Sequence, residues 1–95
     1  MGNYKLSQDA QTDLIRIHQY GVREYGEAQA DAYYYKLIER FKQLAEQPHL
    51  YQAIDEIRQG YRRSVCGVDT IYYRIDGDTV EIMSILGQQD RNEWL

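Results

Sequence analysis

The alternation of apolar and polar residues predicts three β-strands in the C-terminal half of the chain. The strands are expected at 57–65, 68–75 and 79–86, which are dense in β-branched and aromatic residues suited to a pleated, half-buried surface. The sequence Asp76-Gly77-Asp78-Thr79 separates the last two strands. Gly77 tolerates the positive φ that the first central position of a type II′ hairpin turn requires. We therefore expect an antiparallel sheet with a tight turn at Gly77.

This turn also predicts the register of the last two strands, because their side chains alternate between two faces. The pairs expected on the first face are apolar or aromatic, with one serine: Ile75–Val80, Tyr73–Ile82 and Ile71–Ser84. The second face would carry an ion pair and a sulfur–aromatic contact: Arg74–Glu81 and Tyr72–Met83. The sheet should therefore have one apolar face that needs a cover and one mixed face.

The N-terminal half shows the three- and four-residue spacing of helices. A short strand is expected at 4–6, with Ser7 as the N-cap of a first helix that ends at Gly26. A second helix should run from Glu27 to Gln47, because Pro48 excludes its preceding residue from helical geometry. The short link at Gly26 makes the two helices an antiparallel hairpin. The prediction is a single α+β domain over 1–95, of order β-α-α-β-β-β, with the hairpin packed on a mainly antiparallel sheet.

Composition narrows the classes of function. The net charge of −4 argues against broad nucleic-acid binding, which usually needs a basic excess. The single Cys66 with the scattered His18 and His49 predicts neither a disulfide nor a metal site, and suits a reducing cytoplasm. No apolar run reaches the length of a membrane span. Ten tyrosines are unusual in 95 residues, and tyrosine is enriched at protein interfaces.

The sequence offers no convincing catalytic set. A Gly-rich phosphate loop and a Ser-His-Asp arrangement are both missing from it. What remains is a group of tyrosines and arginines on the predicted strands: Tyr61, Arg62, Arg63, Tyr72 and Arg74. Arg62 and Arg63 should project to opposite faces. These residues are either solvated, with Arg74 paired to Glu81, or they form an electropositive surface for an acidic or RNA partner, since arginine binds carboxylates and phosphates bidentately.

Several fragments, in order along nearly the whole chain, resemble the RelE/ParE toxin superfamily and its ParE branch in particular. The first are Leu6-Ser7 with Ala10-x-x-Asp13-Leu14-x-x-Ile17-x-x-Tyr20, Tyr25-Gly26, and Phe41-x-x-Leu44-Ala45-x-x-Pro48. The later ones are Ile57-Arg58-x-Gly60-Tyr61-Arg62-Arg63, Ile71-Tyr72-Tyr73-Arg74-Ile75 and Val80-Glu81-Ile82-x-x-Ile85-Leu86-Gly87-x-Gln89-Asp90.

This resemblance implies the toxin of a type II toxin–antitoxin pair. ParE-like toxins poison DNA gyrase by trapping it on cleaved DNA, and a ParD-like antitoxin silences them. The resemblance therefore implies a cytoplasmic protein without enzymatic activity or cofactor, whose partners are the antitoxin and gyrase, with no direct contact to nucleic acid or membrane. We expect the binding residues to be aromatic, basic or apolar side chains of the sheet and tail: Tyr61, Arg62, Arg63, Tyr72, Arg74, Met83, Trp94 and Leu95.

Two alternatives remain open. The related RelE branch cleaves mRNA on the ribosome with Arg, Tyr, His or Lys groups around the sheet and C-terminus. Gly87 stands where many relatives have histidine, and the tail after it holds no histidine, tyrosine or lysine. Arg62 and Tyr72 could imitate part of such a nuclease site. The third hypothesis is a degenerate toxin that only binds its antitoxin.

Overall fold

The computed structural model describes residues 2–87, which form two helices and a four-stranded sheet in the order β-α-α-β-β-β. The elements are β1 (Asn3–Leu6), α1 (Gln8–Tyr25), α2 (Glu27–Glu46), β2 (Tyr61–Cys66), β3 (Asp69–Asp76) and β4 (Thr79–Gly87). The predicted α+β architecture is confirmed. No helix within residues 2–87 combines the length and apolarity needed to cross a membrane.

The helix hairpin has the ends that the sequence predicts. The Ser7 side chain accepts a hydrogen bond from the backbone N–H of Ala10 at 3.0 Å, so Ser7 is the N-cap of α1. Gly26 joins the helices with a φ of 94°, which glycine adopts without steric cost. Gly21 lies where the helices approach closely, since a Cβ built there would be 3.1 Å from the Cβ of Ala30. The hairpin therefore depends on glycine at both its link and its crossing.

The sheet order is β1-β4-β3-β2, with β1 parallel to β4 and the other pairs antiparallel. The helix hairpin connects β1 at one edge of the sheet to β2 at the other, and the chain reaches β4 only after β2 and β3. Both helices contribute to the core on one face of the sheet. The main core lies between them and that face, with Leu37, Phe41, Ile71 and Ile82 fully buried.

The last hairpin follows the predicted register only near its turn. Gly77 has a φ of 64°, and the pairs Ile75–Val80, Tyr73–Ile82 and Arg74–Glu81 are as expected. A β-bulge at Tyr72/Tyr73 then shifts the register. The predicted pairs Ile71–Ser84 and Tyr72–Met83 are wrong: Ile71 lies opposite Ile85, and Tyr72 lies opposite Ser84. The extra residue in β4 turns Ile85 toward the core.

The strand predicted at 57–65 is also shorter than expected. Residues 57–60 form turns, and β2 begins only at Tyr61. Gly60 has a φ of 82°, and its N–H donates to Oδ1 of Asp55 at 2.7 Å. This turn brings the segment 48–60 back along β2, where Ala53 bridges Arg62 in antiparallel orientation.

The outer face of the sheet carries a second, smaller cluster. Ile54, Tyr72 and Leu86 are buried there, and Tyr61 packs against them. Ile54 comes from the segment that returns along β2. The face predicted to be open and mixed is therefore partly covered, and only some of its residues are available to a partner.

Candidate partner-binding surfaces

The two neighbouring arginines of β2 hold the segment 48–60 in place. Arg62 donates from Nη1 to the carbonyl oxygen of Tyr51 at 2.7 Å. Arg63 donates through its backbone N–H to the carbonyl of Gln52 at 3.0 Å, and through Nη2 to the Gln52 side-chain oxygen at 3.3 Å. Arg62 lies opposite the core residue Tyr73, so the two arginines point to opposite faces, as expected. Both are half-buried, and their contacts are largely internal.

The other strand arginine forms the ion pair that the register predicts. Arg74 Nη2 lies 2.7 Å from Oε1 of Glu81, and Nε donates to the same oxygen at 2.8 Å. The hydrogen bond and charge of Glu81 raise the pKa of Arg74 above its ordinary range. Tyr61 lies opposite Arg74 across the sheet, with the Arg58 guanidinium 5.3 Å from its ring. Arg74 and Tyr61 thus form part of an accessible outer face, with the charge of Arg74 balanced by Glu81.

The remaining predicted binding residues are dispersed. Tyr72 is fully buried in the outer cluster, so its side chain is not presented at the surface. Met83 is half-buried at the bulge, and its carbonyl accepts a hydrogen bond from Oγ of Ser7 at 2.8 Å. Trp94 and Leu95 lie outside the described residues. The structure therefore does not bring the predicted residues into one compact site.

Candidate catalytic or metal-binding chemistry has little support among residues 2–87. That range contains no group of three or more histidine, cysteine, aspartate or glutamate side chains that could hold a metal ion. Cys66 is buried beneath α2, and this burial raises the pKa of its thiol, which disfavours the nucleophilic thiolate. Tyr33 donates to Oδ2 of the buried Asp69 at 2.7 Å. Burial and this neighbour raise the Tyr33 pKa, so the hydroxyl stays neutral and ties α2 to β3.

Sequence reasoning missed an open groove between the helices. Its volume is about 520 Å³, and its apolar lining comes from Leu6, Leu14, Ile15, Tyr34 and Tyr35. The Ile15 and Tyr35 residues are 58% and 65% exposed. Each directly follows a residue that faces inward on its helix, so a search for apolar residues beside the core stripe would have found them. The groove is an accessible, largely apolar surface of the helix layer.

A polar contact crosses one side of this groove. His18 Nε2 lies 2.7 Å from Oδ1 of Asp31, which joins α1 to α2. The imidazole also contacts the Tyr34 ring edge-to-face, with centroids 5.9 Å apart. These contacts fix the spacing of the two helices, and therefore the width of the groove. His18 thus has structural partners in Asp31 and Tyr34.

Comparisons with known proteins agree with this architecture. A family model described as the ParE toxin of the type II toxin–antitoxin system parDE matches residues 4–92. The chain is 36% identical to Toxin ParE1 of Caulobacter vibrioides over 88 residues, covering 93% of this chain and 91% of that protein. It is also 36% identical to Toxin ParE1 of Mycobacterium tuberculosis H37Rv over 93 residues, covering 94% and 95% of the two chains.

The fold is similar to that of a solved structure titled "Chromosomal ParDE TA system from P. aeruginosa". The TM-score is 0.80, the sequence identity is 20%, and the alignment covers 92% of this chain and 96% of that one. The structural match supports the fold, and the family and sequence matches extend over almost the whole length. The predicted resemblance is confirmed, and the chain belongs to the ParE toxin family of type II toxin–antitoxin systems.

Proposed function

We propose that this protein poisons DNA gyrase in the cytoplasm and that a ParD-like antitoxin neutralises it. Membership of the ParE family is the first support for this proposal. The observation that carries it is the engagement of the strand arginines: Arg62 and Arg63 bond to the segment 48–60, and Arg74 bonds to Glu81. Because these arginines already have partners within the protein, they do not converge on a common point as catalytic groups must. This arrangement favours a protein that acts by binding over one that acts by catalysis.

The groove between α1 and α2 supports the antitoxin half of the proposal. An amphipathic helix binds such a groove through apolar anchors one turn apart. Ile15 and Tyr35 offer exposed apolar area on its two sides. A partner helix would bury this area, and the polar rim formed by His18 and Asp31 would set its orientation.

We propose that the target-side contacts lie on the outer sheet face and the tail. Tyr61, Arg74 and Met83 belong to the accessible or half-buried part of that face. Trp94 and Leu95 end an otherwise polar tail. Deletion of these last two residues should weaken toxicity or antitoxin affinity. Unchanged toxicity and unchanged affinity would remove the tail from the proposal.

A gyrase supercoiling and cleavage assay with purified protein tests the main activity. The expected result is inhibited supercoiling with accumulation of cleaved DNA that remains bound to gyrase. Addition of the antitoxin encoded beside this chain should reverse both effects. Folded protein that neither inhibits gyrase nor traps cleaved DNA would refute the proposed activity.

A groove variant separates neutralisation from toxicity. Tyr35→Glu should still poison gyrase, while the antitoxin should neutralise it poorly, because a charge in the groove must lose water on binding. Ala32→Glu introduces the same charge on the exposed side of α2 away from the groove lining, and should remain neutralised. Equal neutralisation of the two variants would place the antitoxin elsewhere.

The mRNA endonuclease is the alternative activity, and the structure offers it two weak candidates. Tyr72 is fully buried, and Arg62 is bonded to the Tyr51 carbonyl. We expect no codon-dependent cleavage of mRNA in a translation extract. Cleavage that is lost in the double variant Arg62→Ala, Tyr72→Phe would favour the nuclease instead.

A further inference from the structure

Part of the outer face of the sheet is buried, although both helices contribute to the core on the opposite face. On β4, Ser84 is 1% exposed and Leu86 is 8% exposed. On β3, Thr70 is 4% exposed and Tyr72 is fully buried. Thr70 lies opposite Leu86 and Tyr72 lies opposite Ser84, and Tyr72 and Leu86 belong to the outer cluster. These four side chains therefore share the outer face, and we call them the outer patch.

The outer patch has sharp borders. Val65 of β2 lies directly beside Thr70 on the same face, and it is 62% exposed. Arg74, two residues beyond Tyr72 on β3, is also exposed. A side chain on an open sheet face stands roughly perpendicular to the sheet and meets water unless another group lies above it. A narrow cover must therefore lie over the outer patch and stop short of Val65 and Arg74.

The segment 48–60 supplies only one side of this cover. It follows β2 through the bridge between Ala53 and Arg62, and Ile54 packs in the outer cluster. Ser84 lies further away, because β3 separates β2 from β4. The Ser84 Oγ is nevertheless buried, and it has no hydrogen-bond partner among residues 2–87. A hydroxyl in contact with water would have one, so the cover over β4 excludes water and is apolar.

The chain leaves the sheet beside the outer patch. β4 ends at Gly87, one residue after Leu86. The eight residues 88–95 follow it, and they are polar except for Trp94 and Leu95. Eight extended residues reach at most about 28 Å, whereas neighbouring strands lie only about 4.8 Å apart. Trp94 and Leu95 can therefore reach every residue of the outer patch.

We propose that the segment 88–95 folds back over the outer face of the sheet and packs Trp94 and Leu95 on the outer patch. The contact would remove apolar surface of both sides from water, and it would explain the dry environment of Ser84. The outer patch is buried within a single chain, which favours a cover from the same chain over a second copy. Arg74 would stay open beside this cover, so a partner of the outer face would meet both Arg74 and the outer side of the segment.

The fluorescence of Trp94, the single tryptophan of the chain, tests this contact. A nitroxide quenches tryptophan only at short range, and it is attached to the introduced thiol of Val65→Cys or of Tyr35→Cys. Val65 borders the outer patch, Tyr35 lies in the helix layer on the opposite face, and the two are almost equally exposed. Trp94 should lose most of its emission in labelled Val65→Cys and little in labelled Tyr35→Cys. Wild type treated with the same reagent controls for labelling of the buried Cys66.

Dilution and thermal melting complete the test. Quenching should be independent of protein concentration, and quenching that disappears on dilution would assign the contact to a second copy and overturn the proposal. Trp94→Ala should lower the melting temperature more than Asn92→Ala, because only Trp94 would bury a large apolar surface. Equal melting temperatures of these two variants, or equal quenching in the two labelled variants, would also overturn it. None of these measurements involves gyrase or an antitoxin, so their outcome is independent of the proposed function.

Discussion

Asp13 replaces a missing strand neighbour, and its removal should have a measurable cost. β1 ends opposite Ile82, so no strand within residues 2–87 pairs with the later part of β4 on that side. Asp13 Oδ2 accepts a hydrogen bond from the N–H of Ile85 at 3.0 Å, and Arg16 donates to the Ile85 carbonyl at 3.2 Å. Two side chains of α1 thus satisfy the backbone of one strand residue, and that residue is fully buried.

The loss of stability in Asp13→Ala can be worked out from the backbone N–H of Ile85, which the substitution leaves without its acceptor. An unsatisfied buried N–H costs about 1–3 kcal/mol. The Asp13–Arg16 pair adds little, because its N–O distance is 3.6 Å and Arg16 is 48% exposed. Relief of carboxylate burial offsets part of the cost. We expect a loss of about 2 kcal/mol, which is roughly a 10 °C fall in melting temperature for a domain of this size. Asp13→Asn retains an acceptor oxygen and should lose about half as much or less.

The contribution of Asp13 to stability should depend on pH, in a direction that the pKa of its carboxyl group determines. Burial raises the pKa of Asp13 above its ordinary value of 3.8, despite the opposing effects of Ile85 and Arg16. A raised carboxyl pKa favours the protonated form in the folded state, so its contribution is fully present below 3.8 and is lost as pH rises through the folded-state pKa. The stability of the wild type relative to Asp13→Asn should therefore increase as pH falls through that range.

Urea unfolding of the wild type and both variants across acidic and neutral pH measures these differences. Asp13→Asn is the matched control, since it removes the charge and keeps the shape. A loss below about 0.5 kcal/mol for Asp13→Ala would place it among ordinary surface substitutions and refute the strand-replacement argument. An Asn variant as unstable as the Ala variant would show that the charge matters more than the acceptor.

Two further predictions concern the turns and the segment after α2. Gly67 and Gly77 both have positive φ, but only at Gly67 would an added Cβ meet a neighbour, at 2.5 Å from Tyr33. Gly77→Ala should therefore lower the free energy of unfolding by about 1–2 kcal/mol through backbone strain. In the same thermal melts, Gly67→Ala should lose clearly more stability. Tyr73 donates to the Pro48 carbonyl at 2.8 Å, so Tyr73→Phe should lose about 1 kcal/mol at neutral pH. Burial raises the pKa of Tyr73 to about 12 from 10.0, so the wild type should lose this contribution as pH rises through that interval. The Phe variant should lose less stability over the same interval. Equal melts for the two glycine variants, or an alkaline profile unchanged in Tyr73→Phe, would contradict these assignments.

The helix hairpin was predictable because its determinants are local. Ser7 caps α1 through a bond to a residue three positions away, and Gly26 adopts the conformation that its residue type permits. Pro48 limits the extent of α2 for a steric reason that involves only its neighbour. Such signals require no knowledge of distant parts of the chain, so the sequence carries them directly.

The sheet was less predictable because its details depend on distant partners. The position of β1 beside β4 joins residues more than 70 positions apart. The bulge moves Ile85 into the core where simple alternation expects Ser84, and no glycine marks the bulge at residues 82–84. Burial of Tyr72 depends on Ile54, which reaches the outer face only after the chain has turned at Gly60.

The candidate binding residues show the same limit in the chemistry of single side chains. The partner of Arg62 is the backbone carbonyl of Tyr51. Since every residue type has a backbone carbonyl, the sequence gives no sign of this hydrogen bond, and Arg62 looks available to a partner protein. Lys36 and Arg40 look like ordinary polar positions of a helix until the sheet order places them beside an edge. Lys36 is exposed in the helix layer, whereas Arg62 and Arg63 hold the segment 48–60 and Arg74 pairs with Glu81. We therefore expect charge substitutions on α2 to alter partner association more than substitutions of Arg62 do. Substitutions of Arg62 should mainly lower the stability of the folded protein.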